Sequence, residues 1–244
     1  MIVLHGLLGS SRNWLSTGRD LAKHYHVFAL DARNHGKSPH AAEMTYPDML
    51  ADIIAWMDAQ GLAKATVVGH SMGGKTAMLL ACRHPERVER LVVVDIAPKD
   101  YFWVAHRAEF SAMAELDLAS LASRAEAEQR FGTRVPNLGV RKFLATNLEQ
   151  GDDEAWRWKI NLPVLTTSLA VMEKNSLQAA DRFSGPTLFV LGGRSRYAEP
   201  GDHALIKKHF PAVQIEVIAD SGHNPHMDQR EEFVRLVVGN APSL

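Results

Sequence analysis

Ser71 stands in a pattern that is typical of a catalytic nucleophile. It lies between Gly69 and Gly73, so that the pattern reads Gly-x-Ser-x-Gly. The β-branched segment 66–68 precedes the pattern, and the helix-forming run 75–82 follows it. A serine at a sharp turn from a strand into a helix presents its hydroxyl clear of the sheet. We therefore predict that Ser71 is a nucleophile; the alternative is a tight turn in which Ser71 only caps the helix.

A serine nucleophile needs a general base within hydrogen-bond reach, and His223 is the histidine best placed to serve as one. It follows the predicted strand 213–218, and reactive groups of α/β proteins collect where strands end. Gly222 allows a free turn before it, and Pro225 keeps it out of the next helix. His226, one helical turn further on, is the less favoured alternative.

The carboxylate that orients the histidine is expected after a strand that lies between the serine and the histidine in the chain. Asp95 directly follows the predicted strand 91–94. The later strand, 187–191, ends at a turn without a carboxylate, and Ser195 stands where an aspartate would be expected. We therefore assign the acid to Asp95. Two acidic residues that follow the later strand at a distance remain alternatives: Glu199 and Asp202.

Attack on a carbonyl creates a negative oxygen, which two backbone N–H groups must hold. One is expected from Met72, which follows the nucleophile at a helix N-terminus, where the helix dipole also favours negative charge. The other is expected from the loop 5–9 after the first strand, and Leu7 is our choice. The alternative for this loop is an ordinary turn between strand and helix.

Six strand segments separated by helices predict an α/β fold with a mostly parallel, doubly wound sheet. The alternation stops at 99–183, a stretch that has helical patterns, no convincing strand and too great a length for a loop. We expect a core formed by 1–98 and 184–244, with 99–183 inserted as a helical cap. The cap's aromatic residues are expected to line a substrate pocket or to form the cap's own core: Tyr101, Phe102, Trp103, Phe110, Trp156 and Trp158.

Charge, hydropathy and motif spacing give no support for a nucleic-acid-binding, membrane-spanning, disulfide-rich or metal-binding protein. With a formal net charge of −1, nothing favours binding to nucleic acid or to an anionic membrane surface. No apolar window approaches the ~18 residues of a membrane-spanning helix. The single cysteine, Cys82, cannot form an internal disulfide, so we expect a cytoplasmic protein. We expect no metal or other cofactor, since no spacing such as His-Glu-x-x-His is present.

The motifs together resemble the α/β-hydrolase superfamily over the whole chain. They are HGLLGS at 5–10, DARNHGKS at 31–38, GHSMGG at 69–74 and GH at 222–223. Segments 94–98 and 191–197 narrow the resemblance to a branch of small bacterial carboxylesterases with acyl-CoA thioesterase activity. In that branch the acid follows the strand after the nucleophile, which here means Asp95. Such proteins usually have a strand or hairpin before the first strand visible in this sequence.

The expected reaction is acyl transfer to water from a small carboxylic ester or an acyl-CoA thioester, through an acyl-enzyme on Ser71. A carbon–carbon bond hydrolase and a cofactor-free perhydrolase use the same triad, so both stay open. A non-catalytic ligand-binding protein is the alternative from a different class. The oligomeric state also stays open at this point.

Overall fold

The computed structural model describes residues 1–239, in which six strands form one sheet and two more form a hairpin. The strands are β1 (Ile2–Leu4), β2 (Phe28–Leu30), β3 (Ala65–His70), β4 (Val88–Val94), β5 (Leu148–Gln150), β6 (Trp156–Trp158), β7 (Thr187–Gly192) and β8 (Val213–Ile218). The helices are α1 (Leu15–Leu21), α2 (Tyr46–Ala59), α3 (Met72–Arg83), α4 (Val104–Ala114), α5 (Arg124–Arg130), α6 (Leu138–Ala145), α7 (Leu162–Glu173), α8 (His203–His209), α9 (Pro225–Asp228) and α10 (Arg230–Gly239). None of these helices is long and apolar enough to cross a bilayer.

The six-stranded sheet has the order β2-β1-β3-β4-β7-β8, and every neighbouring pair is parallel. Strands β3 and β7 are buried along their whole length. Because helices cover both faces of such a sheet, its central strands consist of continuous apolar runs and not of alternating residues. The predicted parallel, doubly wound α/β fold is confirmed.

The register of the sheet brings the carboxyl ends of its strands to one edge. Leu4 of β1 pairs with Gly69 of β3, and His70 pairs with Val94 of β4. Val94 in turn pairs with Val190 of β7. The residues that follow β1, β3, β4, β7 and β8 therefore lie close together, although the sequence separates them by up to about two hundred positions.

Between β4 and β7 the chain leaves the sheet and forms helices α4 to α7 together with the hairpin β5–β6. The expectation that 99–183 contains helices and no strand is wrong at the end of α6. Helix α6 stops at Ala145, and Leu148 begins β5, which pairs antiparallel with β6. Each of these strands has three residues, which is too short for an alternating pattern to be recognised in the sequence.

Helix α3 packs against β3 and β4 of the sheet and against helix α2. Its residues from Met72 to Ala81 are all buried, including the charged Lys75. The helix begins directly after Ser71, so this packing fixes the position of the serine backbone.

Candidate active site

Ser71 lies in a strained turn between β3 and α3. Its backbone angles are φ 51° and ψ −114°, a region that L-residues rarely adopt. The Ser71 N–H donates to Val94 O at 3.1 Å, and Lys75 N–H donates to Ser71 O at 3.0 Å, so β4 and α3 hold the turn on both sides. The hydroxyl makes no capping hydrogen bond to α3. The geometry therefore favours a nucleophile over a helix cap.

The two glycines of the pattern are required because three backbone segments approach one another here. A Cβ added at Gly69 would lie 2.2 Å from the carbonyl oxygen of Gly73. One added at Gly73 would lie 2.7 Å from the carbonyl oxygen of Leu4 in β1. Only glycine permits this contact, which sets α3 tightly against β1 and β3.

Asp95 and His223 lie in direct contact. His223 Nδ1 is 2.7 Å from Asp95 Oδ2. Asp95 is completely buried and has a positive φ of 50°, directly after β4. Its Oδ1 accepts from Gly192 N–H at 2.9 Å, and its Oδ2 also accepts from the Ser195 hydroxyl. Three donors thus converge on this carboxylate from β7, the turn after β7 and the turn after β8.

The alternative acids and the alternative base have other partners. Asp202 Oδ2 accepts from Lys99 Nζ at 2.6 Å and from the backbone N–H of Glu199 at 2.9 Å. His226 is fully buried, and burial lowers its pKa to about 3. Its ring is stacked on Trp14, 4.2 Å away between centroids. Neither His226 nor the two alternative acids takes part in the contact with Asp95.

Two aromatic side chains hold His223, whose side chain is about a quarter exposed (24%). The ring of Tyr197 stacks on the His223 ring at 3.7 Å between centroids, with an interplanar angle of 17°. His70 Nε2 is 2.8 Å from His223 O. Burial and neighbouring histidines hold the pKa of His70 well below its ordinary value, so its ring is neutral. Since a carbonyl oxygen only accepts, the proton of His70 must lie on Nε2.

The loop after β1 passes directly beside the serine. A Cβ added at Gly6 would lie 3.4 Å from Ser71 Cβ. As the first residue of α3, Met72 has an N–H without an intrahelical acceptor. For Leu7, the structure records no acceptor for the N–H within the described part of the chain. Neither predicted oxyanion donor therefore has a recorded acceptor within residues 1–239, and the loop that carries Leu7 lies beside Ser71.

Leu8, the next residue of this loop, is fixed from two sides in a left-handed conformation with φ 59°. Its N–H donates to His35 Nε2 at 3.2 Å, and its carbonyl accepts from Asn147 Nδ2 at 2.9 Å. His35 therefore carries its proton on Nδ1, which donates to Arg33 O at 3.0 Å. Burial lowers the pKa of His35 to about 3, which keeps the ring neutral. The two bonds hold the loop that carries Leu7 in place.

Of the predicted pocket residues, Tyr101 makes contacts that lead to this site. Its hydroxyl accepts from Ala97 N–H at 2.9 Å and donates to Tyr197 O, and Tyr197 stacks on His223. Trp103 is also close, with its ring 5.7 Å from that of Tyr101. These contacts connect the start of segment 99–183 to the candidate base.

Three of the other aromatic residues contact mainly segment 99–183 itself, whereas the expectation for Phe102 is wrong, because its side chain is 71% exposed. Phe110 is buried in α4. The Trp156 ring lies 5.7 Å from the Arg124 guanidinium, and the Trp158 ring is 6.5 Å from that of Phe131. The predicted role of these three residues in a pocket remains a prediction.

Sequence reasoning missed three contacts of the site. The sequence identifies Ser195 only as a position without a carboxylate, yet its hydroxyl donates to Asp95. Tyr197, in the same turn, gave no signal beyond its aromatic type. Lys75 did give a signal, since it is a charge within an otherwise apolar helical run.

Within residues 1–239, no group of three or more His, Cys, Asp or Glu side chains is arranged to hold a metal ion.

Comparison with known proteins finds a matching family and several similar proteins. Residues 1–229 match the profile of a family described as alpha/beta hydrolase fold. The sn-1-specific diacylglycerol lipase ABHD11 of Mus musculus is 37% identical over 244 residues, which cover 97% of this chain and 79% of that protein. Esterase YbfF of Escherichia coli (strain K12) is 33% identical over 238 residues, covering 97% and 91%. A solved structure titled Marine microorganism esterase superposes with a TM-score of 0.95 at 34% identity, covering 98% and 94%.

Proposed function

We propose that Ser71, His223 and Asp95 form the catalytic triad of this chain, which belongs to the α/β-hydrolase family and is a carboxylesterase-type hydrolase. The observation that carries the proposal is the 2.7 Å contact between His223 Nδ1 and Asp95 Oδ2. It lies at the same sheet edge as the strained turn of Ser71, which is where a general base for that serine is required.

In this mechanism His223 acts first as a base and then as an acid. Its Nδ1–H donates to Asp95, which leaves the lone pair of Nε2 to take the proton of Ser71 Oγ as that oxygen attacks the ester carbonyl. The protonated ring then gives this proton to the departing alcohol. Water, activated by the same histidine, hydrolyses the acyl-enzyme and restores the serine. Asp95 stabilises the imidazolium in both steps.

The backbone N–H groups of Leu7 and Met72 would hold the negative oxygen of each tetrahedral intermediate. Two such donors are the usual number, and loss of one typically costs about 10²–10³ in kcat. The buried hydrogen bonds of Leu8 to His35 and Asn147 support this role, because they prevent the loop from moving when charge develops.

We further propose that residues 99–183 form a cap that binds the acyl chain, with Tyr101 and Trp103 nearest the serine. The contacts from Tyr101 through Tyr197 to His223 support this placement. Acyl-CoA thioesters are proposed as a second substrate class, on the strength of the resemblance noted for segments 94–98 and 191–197. A cytoplasmic location is proposed with it, supported by the single cysteine.

The triad is tested by labelling with a fluorophosphonate, which forms a covalent adduct only with an activated serine. We expect an adduct on Ser71 in the wild-type protein and none in the Ser71→Ala variant, which should also lose p-nitrophenyl acetate hydrolysis. An active Ser71→Ala variant, or an adduct on another serine, would refute the assignment.

Substrate class is tested on the same preparations. Initial rates should be compared for p-nitrophenyl esters from acetate to palmitate, for diacylglycerols and for acyl-CoA of matched chain length. Diacylglycerols are included because one relative is named for that activity. Ester turnover without acyl-CoA turnover would refute the thioester proposal and leave the esterase proposal intact.

A further inference from the structure

Lys75 has an unusual environment for a charged residue. It lies one turn after Ser71 in α3 and has no exposed surface. Within residues 1–239 the structure records no ion pair for its ammonium group. Its hydrogen-bond acceptors are instead four backbone carbonyls: Lys99 O at 3.4 Å, Met172 O at 3.3 Å, Glu173 O at 3.4 Å and Lys174 O.

These four carbonyls lie at two connections: residue 99, where the chain enters the proposed cap, and residues 172–174, at the end of α7, from which the chain returns to the sheet. Lys99 lies where the chain leaves β4, and Lys174 lies where it returns after α7. One ammonium group therefore bonds both connections at once. Two of the carbonyls also end α7, where the helix dipole is negative and favours a cation.

The two connections are bonded to each other at the same place. Tyr101 N–H donates to Glu173 O at 2.8 Å, and Asn175 N–H donates to Asp100 Oδ1 at 2.7 Å. On the other side, the Ser176 hydroxyl donates to the backbone carbonyl of Lys75 at 2.9 Å. Lys75 thus lies at the centre of the joint between the proposed cap and helix α3.

Three aromatic rings enclose the ammonium group within the distance of a cation–π interaction. Their centroids lie 5.1 Å (Tyr46), 5.2 Å (Tyr101) and 5.8 Å (Trp103) from Nζ. Burial lowers the pKa of Lys75 to about 7, so keeping the ammonium form there opposes folding. An apolar side chain of similar length would avoid this cost but would leave the four carbonyls without this donor.

We propose that Lys75 is a positioning residue that fixes the cap over Ser71 and thereby sets the acyl chain lengths that the enzyme prefers. The inference rests on the proposed function, in which the cap binds the acyl chain. Without the ammonium group, four carbonyls lose a shared hydrogen-bond donor. The backbone of both connections then becomes more mobile. A long acyl chain depends on the position of the cap, whereas an acetyl group contacts little beyond the serine and the oxyanion donors.

The test replaces Lys75 with methionine, which is similar in length and uncharged. Lys64→Met is the matched control, because Lys64 is exposed in the loop before β3. The quantity measured is kcat/KM for p-nitrophenyl decanoate divided by that for p-nitrophenyl acetate. We expect Lys75→Met to lower this ratio about tenfold or more, with hydrogen exchange faster at residues 97–101 and 172–176, and Lys64→Met to leave the ratio unchanged.

A purely structural role would give a different result. A smaller folded fraction would reduce kcat/KM for both esters by the same factor. An unchanged ratio in Lys75→Met would therefore overturn the inference. If that variant does not fold, Lys75→Gln, whose shorter side chain has only two N–H donors and cannot serve all four carbonyls, is judged by the same ratio. Failure of the proposed function is distinguishable, because the wild-type protein would then lack the ester activity itself.

Discussion

His223 Nδ1 lies 2.7 Å from Oδ2 of Asp95, the residue that directly follows β4. The carboxylate therefore comes from the strand next after the nucleophile helix and not from β7, one strand later. The position after β7 is occupied by Ser195, whose hydroxyl donates to the same Oδ2. Two strand ends thus contribute to one carboxylate site, and each contribution can be changed separately.

The first prediction concerns Asp95→Asn. Asparagine has the same shape and tolerates the positive φ of this position, so the fold should persist. Its amide would donate to His223 Nδ1 and favour the tautomer in which Nε2 carries a proton and cannot act as a base. We expect kcat on p-nitrophenyl acetate to fall by about 10⁴. A variant with an unchanged melting transition and nearly wild-type kcat would show that Asp95 is not the acid.

The second prediction moves the acid from one strand end to the other. Ser195 Oγ already reaches the oxygen that His223 contacts, and an aspartate there would extend one atom further into the space that Asp95→Ser opens. We expect Asp95→Ser alone to lose about 10⁴ in kcat. The double variant with Ser195→Asp should recover about tenfold or more of that loss. Equal rates for the single and the double variant would show that only the end of β4 can position the acid.

Most of the central fold could be predicted from the sequence because its signals are local. Parallel strands buried on both faces produce apolar runs, and the residue after each run lies at the active edge of the sheet. The assignment of Asp95 used only this rule together with the absence of a carboxylate at Ser195. In the structure Asp95 lies in contact with His223, and its role as the acid stays a prediction.

The remaining features depend on contacts between distant parts of the chain, which no local pattern reveals. The hairpin of β5 and β6 has three-residue strands, which are stabilised by their neighbours and not by intrinsic preference. The stacking of Tyr197 on His223 joins two turns that follow different strands. The environment of Lys75 combines carbonyls about one hundred residues further along the chain, so its charge could be noticed but not explained.

The third prediction concerns stability at low pH. Burial lowers the pKa of His35 to about 3, whereas the unfolded chain has the ordinary value of about 6.5. Between these values the unfolded state binds the extra proton, so stability falls as the pH decreases from about 6.5 towards 3, by up to about 1.4 kcal/mol per pH unit. His5, His70 and His226 have pKa values lowered in the same direction, so the acid sensitivity should be steep.

His35→Gln isolates one of these contributions. The glutamine oxygen can still accept from Leu8 N–H but does not titrate. From about pH 6 to about pH 4, we expect the variant to lose roughly 2–3 kcal/mol less unfolding free energy than the wild type, as measured by urea denaturation. His24→Gln, at an exposed position, should behave as the wild type. Identical pH dependence in all three proteins would contradict the assignment of a neutral buried His35.

The fourth prediction tests whether the proposed cap supports the oxyanion loop. Asn147 Nδ2 donates to the carbonyl of Leu8, which follows the proposed donor Leu7. Asn147→Ala leaves that carbonyl without this donor and frees a loop held at φ 59°. Because the oxyanion forms only in the transition state, the effect should appear in kcat and not in KM. We expect kcat to fall about tenfold, less than the 10²–10³ typical when an oxyanion donor is removed outright.

Asn137→Ala is the matched control for that measurement. Asn137 lies in the same insertion and caps α6 by accepting from Val140 N–H, so its loss should cost about 1 kcal/mol of stability without touching the loop. We expect its kcat to equal that of the wild type under conditions in which both are folded. A similar loss of kcat in Asn137→Ala, or none in Asn147→Ala, would show that the bond from Asn147 to Leu8 does not position the oxyanion loop.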